Sequence, residues 1–539
     1  MRWRSCLGLF IALPLLLGSA AGALAGIPEE LKKLDYRVGN FLDRVLPTEN
    51  EHVMNFTVGK WTTQPISEAI PGLDVLGFLR NRTWINSHGQ DQSIGATGGA
   101  RSRFKMIEWR TELELHYQIN PNIKLTGIVN YRYDSVYDWD KRSITKFYRD
   151  ANGKALSATA KRATRNYMKR FEQLAAYDKD TKRIVRELYA DIFFPTMDKG
   201  SLSFRLGKQQ LGIGKQDFNA IDQLSNAANW RGPSSISSNL EWSRIPTWMA
   251  NVAYAFPHSL LPGVTVKFVW MPDFESAASN GFSGTPGSAN WGYKKRPSTS
   301  LAAFNGLHDL EGDKPDDWSL DGSEWAFNLE FYWRGWQNGL WYLSDFQDGP
   351  KTFKRPASAG GNIKRHTRRE HFMYGTDKSF FFLHRYWLYK YEARFTFGEY
   401  MGSKEKYNTS GNRKVNYYYQ GHTIRTRFWR DATALALWID RRLINRHKRS
   451  GLVKNQVNIA LLYLSYPLES LEDRVSPAVT TYINMSGPAT WRQKYSVSYK
   501  ISDFTKLYFD YTWFTGDSGQ GYGIYENEDS FRFGIDHHF

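Results

Sequence analysis

The sequence predicts an all-β protein: an antiparallel transmembrane β-barrel of about 16 strands, or about 18 on an alternative count, with long extracellular loops and a short N-terminal amphipathic helix. Three observations carry that prediction. The chain opens like an exported protein, its body is built of ribbons in which aromatic and charged residues alternate, and that alternation continues to a terminal phenylalanine.

Arg2 and Arg4 precede an apolar stretch from Leu7 to Leu17, and Ala23-Leu24-Ala25 follows the small-x-small cleavage rule. Charge, apolar core and small residues in this order define a secretory signal, and the apolar run is too short to cross a bilayer as a helix. Residues 1–25 are therefore read as a signal peptide, with Gly26 as the first mature residue. The lone cysteine, Cys6, lies inside that signal. The mature chain accordingly carries no disulfide, no thiol nucleophile and no cysteine-bound metal.

Composition narrows the class. Mean hydropathy is -0.55, that of a soluble chain. Yet 20 Trp, 31 Tyr and 33 Phe make up 16% of 539 residues, and no later segment is apolar enough for a spanning helix. A barrel reconciles these facts: polar residues line the lumen, apolar ones meet lipid, and aromatic girdles mark both interfaces. The formal charge of +17 in an exported protein suits a basic lumen or contact with lipopolysaccharide and other anionic headgroups. It is not read as nucleic-acid binding.

The strand patterns separate a barrel from a soluble sandwich. Phe531, Phe533, Ile535, His537 and Phe539 alternate with Arg532, Gly534, Asp536 and His538. A terminal aromatic on such a strand resembles the signal read by the barrel-assembly machinery, a role assigned to Phe539. Leu507, Phe509, Tyr511 and Trp513 repeat the pattern against Lys506 and Asp510. Tyr495, Val497 and Tyr499 oppose Lys494 and Lys500. Tyr389, Tyr391, Phe395 and Phe397 oppose Glu392 and Arg394, and Trp109, Leu113 and Tyr117 oppose Arg110, Glu112 and Glu114. Strands of about ten residues suit a tilted crossing of the bilayer.

The strands are placed at 53–60, 101–117, 122–136, 183–195, 200–211, 241–256, 263–273, 324–335, 339–346, 384–398, 414–428, 432–443, 455–466, 490–501, 505–514 and 530–539. Eighteen result if 75–86 is a hairpin arm. Short connections alternate with long ones at 137–182, 212–240, 274–323 and 347–383, which assigns the short ones to the periplasm and the long ones to the exterior. Met401 to Arg413 then comes out as a rather long periplasmic turn. The barrel domain spans 51–539, and 26–50 is a periplasmic element in which Leu31, Leu34, Val38, Leu42 and Val45 recur at helical spacing. Three roles suit the helix at 28–46: plugging the barrel mouth, docking a periplasmic partner, or packing on the rim.

The inward face is the candidate site. Arg110, Glu112, Glu114, Arg205, Gln209, Glu330, Arg394, Lys500, Asp510 and Arg532 are expected to line the pore, with Glu112, Glu114, Glu330 and Asp510 paired to cations. The stretch from Gly212 holds Lys215, Asp217, Asn219 and Asp222 among compact turn residues. It reads equally as an inward constriction loop and as a surface loop. No C-x-x-C-H, H-E-x-x-H or P-loop pattern occurs, and His116, His258, His384, His422 and His537 are dispersed. Neither an enzyme nor a cofactor is expected.

The runs Arg186-Glu-Leu-Tyr-Ala-Asp191, Phe204-Arg205-Leu-Gly207-Lys-Gln209, Asp222-Gln-Leu-Ser-Asn226, Arg244-Ile-Pro246-Thr-Trp248-Met and Trp270-Met-Pro272-Asp-Phe274 resemble the proteobacterial outer-membrane family called domain of unknown function 1302. The run Gly212-Ile-Gly214-Lys215-Gln216-Asp217 departs from it, since the family often has a Trp before the glycine. The resemblance, strongest over residues 100–275, implies a porin-like barrel similar to the alginate-export barrel and a location in the outer membrane of a Gram-negative bacterium. Three functions fit: a channel for small polar solutes, mildly anion-preferring; a dedicated exporter or importer of a polymer or lipid with a periplasmic partner; and a barrel sheath around a cytochrome.

Overall fold

A computed structural model describes residues 69–86, 104–135, 157–158, 184–196, 200–215, 244–257, 261–275, 315–347, 351–353, 363–402, 412–428, 432–444, 456–468, 473–516 and 529–538. The signal, the helix at 28–46, the strand placed at 53–60 and Phe539 lie outside these residues.

Eighteen strands form one closed wall. In order they are β1 (Leu73–Asn86), β2 (Phe104–Asn120), β3 (Ile123–Asp134), β4 (Val185–Pro195), β5 (Ser201–Gln209), β6 (Thr247–Ala255), β7 (Thr265–Met271), β8 (Glu324–Trp333) and β9 (Trp336–Phe346). After a small hairpin of β10 (Lys351–Phe353) and β11 (Ile363–Arg365), the wall resumes. It continues with β12 (Arg368–Phe382), β13 (Arg385–Gly402), β14 (Asn412–Phe428), β15 (Ala432–Leu443), β16 (Gln456–Ser465), β17 (Val475–Asn484), β18 (Thr490–Lys500), β19 (Thr505–Thr515) and β20 (Ser530–His538). Each wall strand pairs antiparallel with its neighbours in sequence, and β1 pairs with β20, so the sheet has no free edge. Closure satisfies every strand's backbone sideways, the condition for a sheet in hydrocarbon.

Alternate residues of each strand point to opposite faces. On β2, Glu108, Arg110 and Glu112 are buried on the inner face, whereas Trp109 is 45% exposed on the outer. On β13 and β20 the same split puts Arg394 and Arg532 inside and Phe395 and Phe533 outside. Leu125, Leu206, Phe268, Phe327, Phe372 and Phe509 extend the outer belt. A contiguous apolar surface of that extent is stable against acyl chains rather than water.

Three wall strands differ from the expected set. β1, β12 and β17 were not among the sixteen, and β1 falls where the alternative count put a hairpin arm. A barrel's inner face is polar, so a strand with charged residues reads as a loop, as β12 does with Arg368-Arg-Glu-His, whereas β17 is hidden by Pro477, a residue that argues against a strand. The stretch 347–383, expected as one long loop, holds β12. Adding β12 moves the β13–β14, β14–β15 and β15–β16 connections to the opposite rim, and adding β17 restores the expected rims for those that follow. Residues 403–411 join β13 to β14 on the long-loop rim, not at a periplasmic turn. Long and short connections then alternate from β1 to β16; beyond that the nine residues between β16 and β17 fall on the short-turn rim and the five between β17 and β18 on the long-loop rim, and β1 begins where β20 ends, on the short-turn rim.

Two connections are tight two-residue turns with left-handed backbone, Arg334-Gly335 (φ 50 and 78) and Leu383-His384 (φ 49 and 57). This geometry matches the twist of the flanking strands and favours Asn-Gly. Leu383 in it is strained by roughly 1–2 kcal/mol. Replacing Leu383-His384 with Asn-Gly is expected to stabilise the barrel by about 1 kcal/mol, seen as a raised urea midpoint in lipid vesicles. An unchanged or lower midpoint would refute the strain.

Candidate inner-face site and constriction

The inner face has two unlike walls. The first, from β18 through β20 to β5, is ionic. Arg80 of β1 pairs with Asp536 of β20. Asp510 receives the Arg532 guanidinium through Nε (2.7 Å) and meets Lys494 Nζ at 3.3 Å. Glu112 accepts from Arg186 Nη1 (2.8 Å) and from Asn130, and lies 3.4 Å from Arg110 Nη2. Glu114 faces His116 at 3.5 Å. Arg205 donates twice to Asp191, at 2.6 and 3.1 Å, and lies over the Tyr189 ring. Among the described residues in the middle of this wall, the cations Arg80, Arg82, Arg110, Arg186, Arg492, Lys494 and Arg532 outnumber Glu108, Glu112, Glu187, Asp510 and Asp536. At the short-turn end a hollow of about 360 Å³ opens beside Lys124, Asp191, Arg205, Asn251 and Lys267.

The second wall is largely apolar and aromatic. Met249, Val269, Met271, Ala326, Trp341, Leu343, Met373, Val415, Tyr417 and Tyr419 form one buried cluster, and Leu435, Leu437 and Leu461 another. Trp341 lies flat along the wall over Gly339 and Gly375, where a Cβ would stand 2.1 and 2.9 Å from its ring. Arg394 rises between Tyr417 and Tyr419, with its guanidinium carbon 5.5 and 5.2 Å from their ring centres. Glu330 pairs with Lys267 at 3.0 Å. Toward the long-loop rim, Asp345 is wholly buried between Arg369 and His371.

The chain after β5 bridges the lumen. Ile213 packs into the apolar cluster. The Lys215 backbone N–H donates to Glu392 Oε2 of β13 (2.7 Å), and Lys215 Nζ stands 3.1 Å from Asp377 of β12. Strands β6, β7, β8 and β9 separate β5 from these partners along the wall, so the segment reaches them through the interior. Gly214 makes the contact with φ +105, and a Cβ there would sit 2.5 Å from Glu392 Oε2. Glycine is required by both the conformation and the approach.

Among the expected pore residues, Arg110, Glu112, Asp510 and Arg532 come together on the ionic wall. Arg205 and Gln209 share β5, where Gln209 Nε2 donates to the Met249 carbonyl (3.2 Å). Glu330 and Arg394 stand on the other wall. Lys500 sits at the short-turn rim beside Asp503 (2.7 Å), whose carboxyl that ammonium holds below its ordinary range. Lys215 reaches inward, and Asp217, Asn219 and Asp222 lie outside the described residues. The residues that sequence reasoning missed are Arg80, Arg82, Asp345, Trp341, Asp377 and Glu392. The first two belong to an unassigned strand, and Glu392 was seen only as an inward position, with nothing to show its partner 177 residues earlier.

A closed barrel with an ionic inner face and an inward segment defines the porin-like class of architecture. The chain belongs to the family described as "Protein of unknown function (DUF1302)", which matches residues 100–420. A search of the curated proteins finds no match. Solved structures with a similar fold include OccAB1 of Acinetobacter baumannii (8% identity, TM-score 0.45, covering 87% of this chain and 97% of that one). OccK8 (OprE) of Pseudomonas aeruginosa is 10% identical with a TM-score of 0.43, covering 87% and 98%. A BenF-like porin from Pseudomonas fluorescens Pf-5 is 8% identical, also with a TM-score of 0.43, covering 87% and 99%.

Proposed function

We propose that the protein is an outer-membrane channel for small polar solutes, mildly selective for anions, narrowed by Leu211–Lys215. The observation that carries this reading is that segment, held against Glu392 and Asp377 inside a closed barrel. A wall that is polar within and apolar without passes hydrated solutes while the segment limits their size. Fixed charges in a narrow, low-dielectric passage raise the local concentration of the opposite ion, and the excess of arginines on the ionic wall favours anions. Passage is passive, and no side chain is assigned a chemical step. The segment reaching into the lumen favours the channel over a sheath around a cytochrome.

The test is a reversal potential across a planar bilayer under a potassium chloride gradient. The expected sign is that of chloride preference, and neutralising Arg110, Arg492 and Arg532 to Gln is expected to move the potential toward zero or past it. A wild-type channel with no shift would remove the selectivity claim, and a refolded barrel that conducts nothing would remove the channel itself.

A further inference from the structure

The outer face is not apolar all the way round. On β13 to β15 it carries a hydrogen-bonded chain of polar side chains where neighbouring strands present Leu, Phe and Val. Register places Tyr391, Phe395, Tyr418, Gln420, His422, Trp438, Asp440 and Arg442 on this face, opposite the inward Glu392 and Arg394. Tyr391 Oη meets Tyr418 Oη (3.3 Å), Tyr418 Oη donates to Gln420 Oε1 (3.1 Å), and Gln420 Nε2 approaches Asp440 Oδ2 (3.5 Å). Arg442 Nε donates to the same Asp440 oxygen (2.6 Å), with Asp440 buried and the Arg442 side chain 50% exposed. Tyr389 Oη bonds His422 Nδ1 (2.8 Å), and His422 stacks on Trp438.

An ion pair and a ladder of amide, imidazole and phenol groups are poorly solvated by acyl chains. The seam starts at Tyr389 near the short-turn end of β13 and ends at Arg442 by the long-loop end of β15. A lipid headgroup reaches only one end of such a seam, so an occupant matching its full height is a protein. We propose that this face docks a second copy of the chain. Copies sharing one membrane orientation are related by a two-fold axis along the membrane normal, which sets equal heights face to face. Each level of the seam holds its own complement: Asp440 with Arg442, the amide oxygen and nitrogen of Gln420, and phenols that both donate and accept. The exposed Arg442, whose Nε holds its own buried Asp440, can therefore extend its remaining N–H groups across the axis to an amide or phenol of the second copy.

The test is cysteine cross-linking of the full chain in outer membranes, with Cys6→Ser as background. Ala436→Cys, on the same face beside the seam, is expected to give a disulfide dimer under copper-phenanthroline oxidation. Leu125→Cys, on the outer face of β3, is expected to stay monomeric. Asp440→Ala with Arg442→Ala is expected to reduce the dimer severalfold while the barrel keeps its heat-modifiable gel mobility. A folded but wholly monomeric Ala436→Cys protein overturns the proposal. So does cross-linking to a different polypeptide. A monomer whose intact mass shows bound lipopolysaccharide, lost in Arg442→Ala, would assign the seam to lipid instead.

Discussion

Deleting Leu211–Lys215 is expected to raise single-channel conductance severalfold and to let larger sugars through in a liposome-swelling assay. The segment enters the interior at mid-barrel, where Lys215 is fastened to Glu392 and Asp377. The wall's backbone pairing does not depend on it, because every wall strand already pairs with two neighbours. The deletion should therefore widen the passage without unfolding the barrel. A gentler variant makes the same point. Gly214→Val meets both a left-handed backbone and the Glu392 carboxylate 2.5 Å from the new Cβ, so the segment must leave the wall. Conductance in Gly214→Val should rise or become noisy, with open and obstructed levels. If both variants conduct as the wild type does while remaining folded, the segment does not set the passage.

Asp345→Ala is expected to cost about 3–5 kcal/mol, the loss that follows when one partner of a buried ion pair is removed and the other stays. Asp345 is fully buried and accepts from Arg369 Nε and Nη2 at 2.9 and 2.8 Å, while His371 Nε2 lies 3.0 Å away and His371 Nδ1 meets Thr396 Oγ1 at 2.8 Å. A bidentate guanidinium pair is geometrically demanding, and removing the carboxylate strands a charge that is itself nearly buried. Glu399 stands 3.8 Å from Arg369 and offers only a distant substitute. Urea unfolding in phosphocholine vesicles, followed by tryptophan fluorescence, measures the loss. A cost below about 1 kcal/mol would mean that the pair behaves as a solvated one.

The fold was legible where the outer face is aromatic and the inner face is mixed, as in β2, β13, β19 and β20. It was illegible where the lumen side dominates the composition. β12 presents Arg368, Arg369, Glu370 and His371 together, then Gly375-Thr-Asp-Lys378, and every local rule reads such runs as loop. β17 was lost to Pro477, a residue that normally argues against a central strand. For the site, the inward charges were visible as one side of an alternation, but their partners were not. Asp345 with His371, and Lys215 with Glu392, meet only because the sheet closes and a segment crosses it, and periodicity carries no information about distance across a ring. Tyr389 and Tyr391 lie on the outer face, where the alternation places them, but their hydroxyl partners on β14 could not be read from sequence.

The ring is shut by β1 against β20, with Arg80 bonded to Asp536 across 456 residues of chain. Until the last strand has left the ribosome, the first has one side with nothing to bond, and an exposed strand edge invites wrong pairing with any other chain. Contacts between the two ends of a sequence also form slowly, since the whole intervening length must first be brought to order. Closure of the ring therefore has to wait for both ends of the chain, and until then the free edge of the leading strand is the part of the fold most open to mispairing.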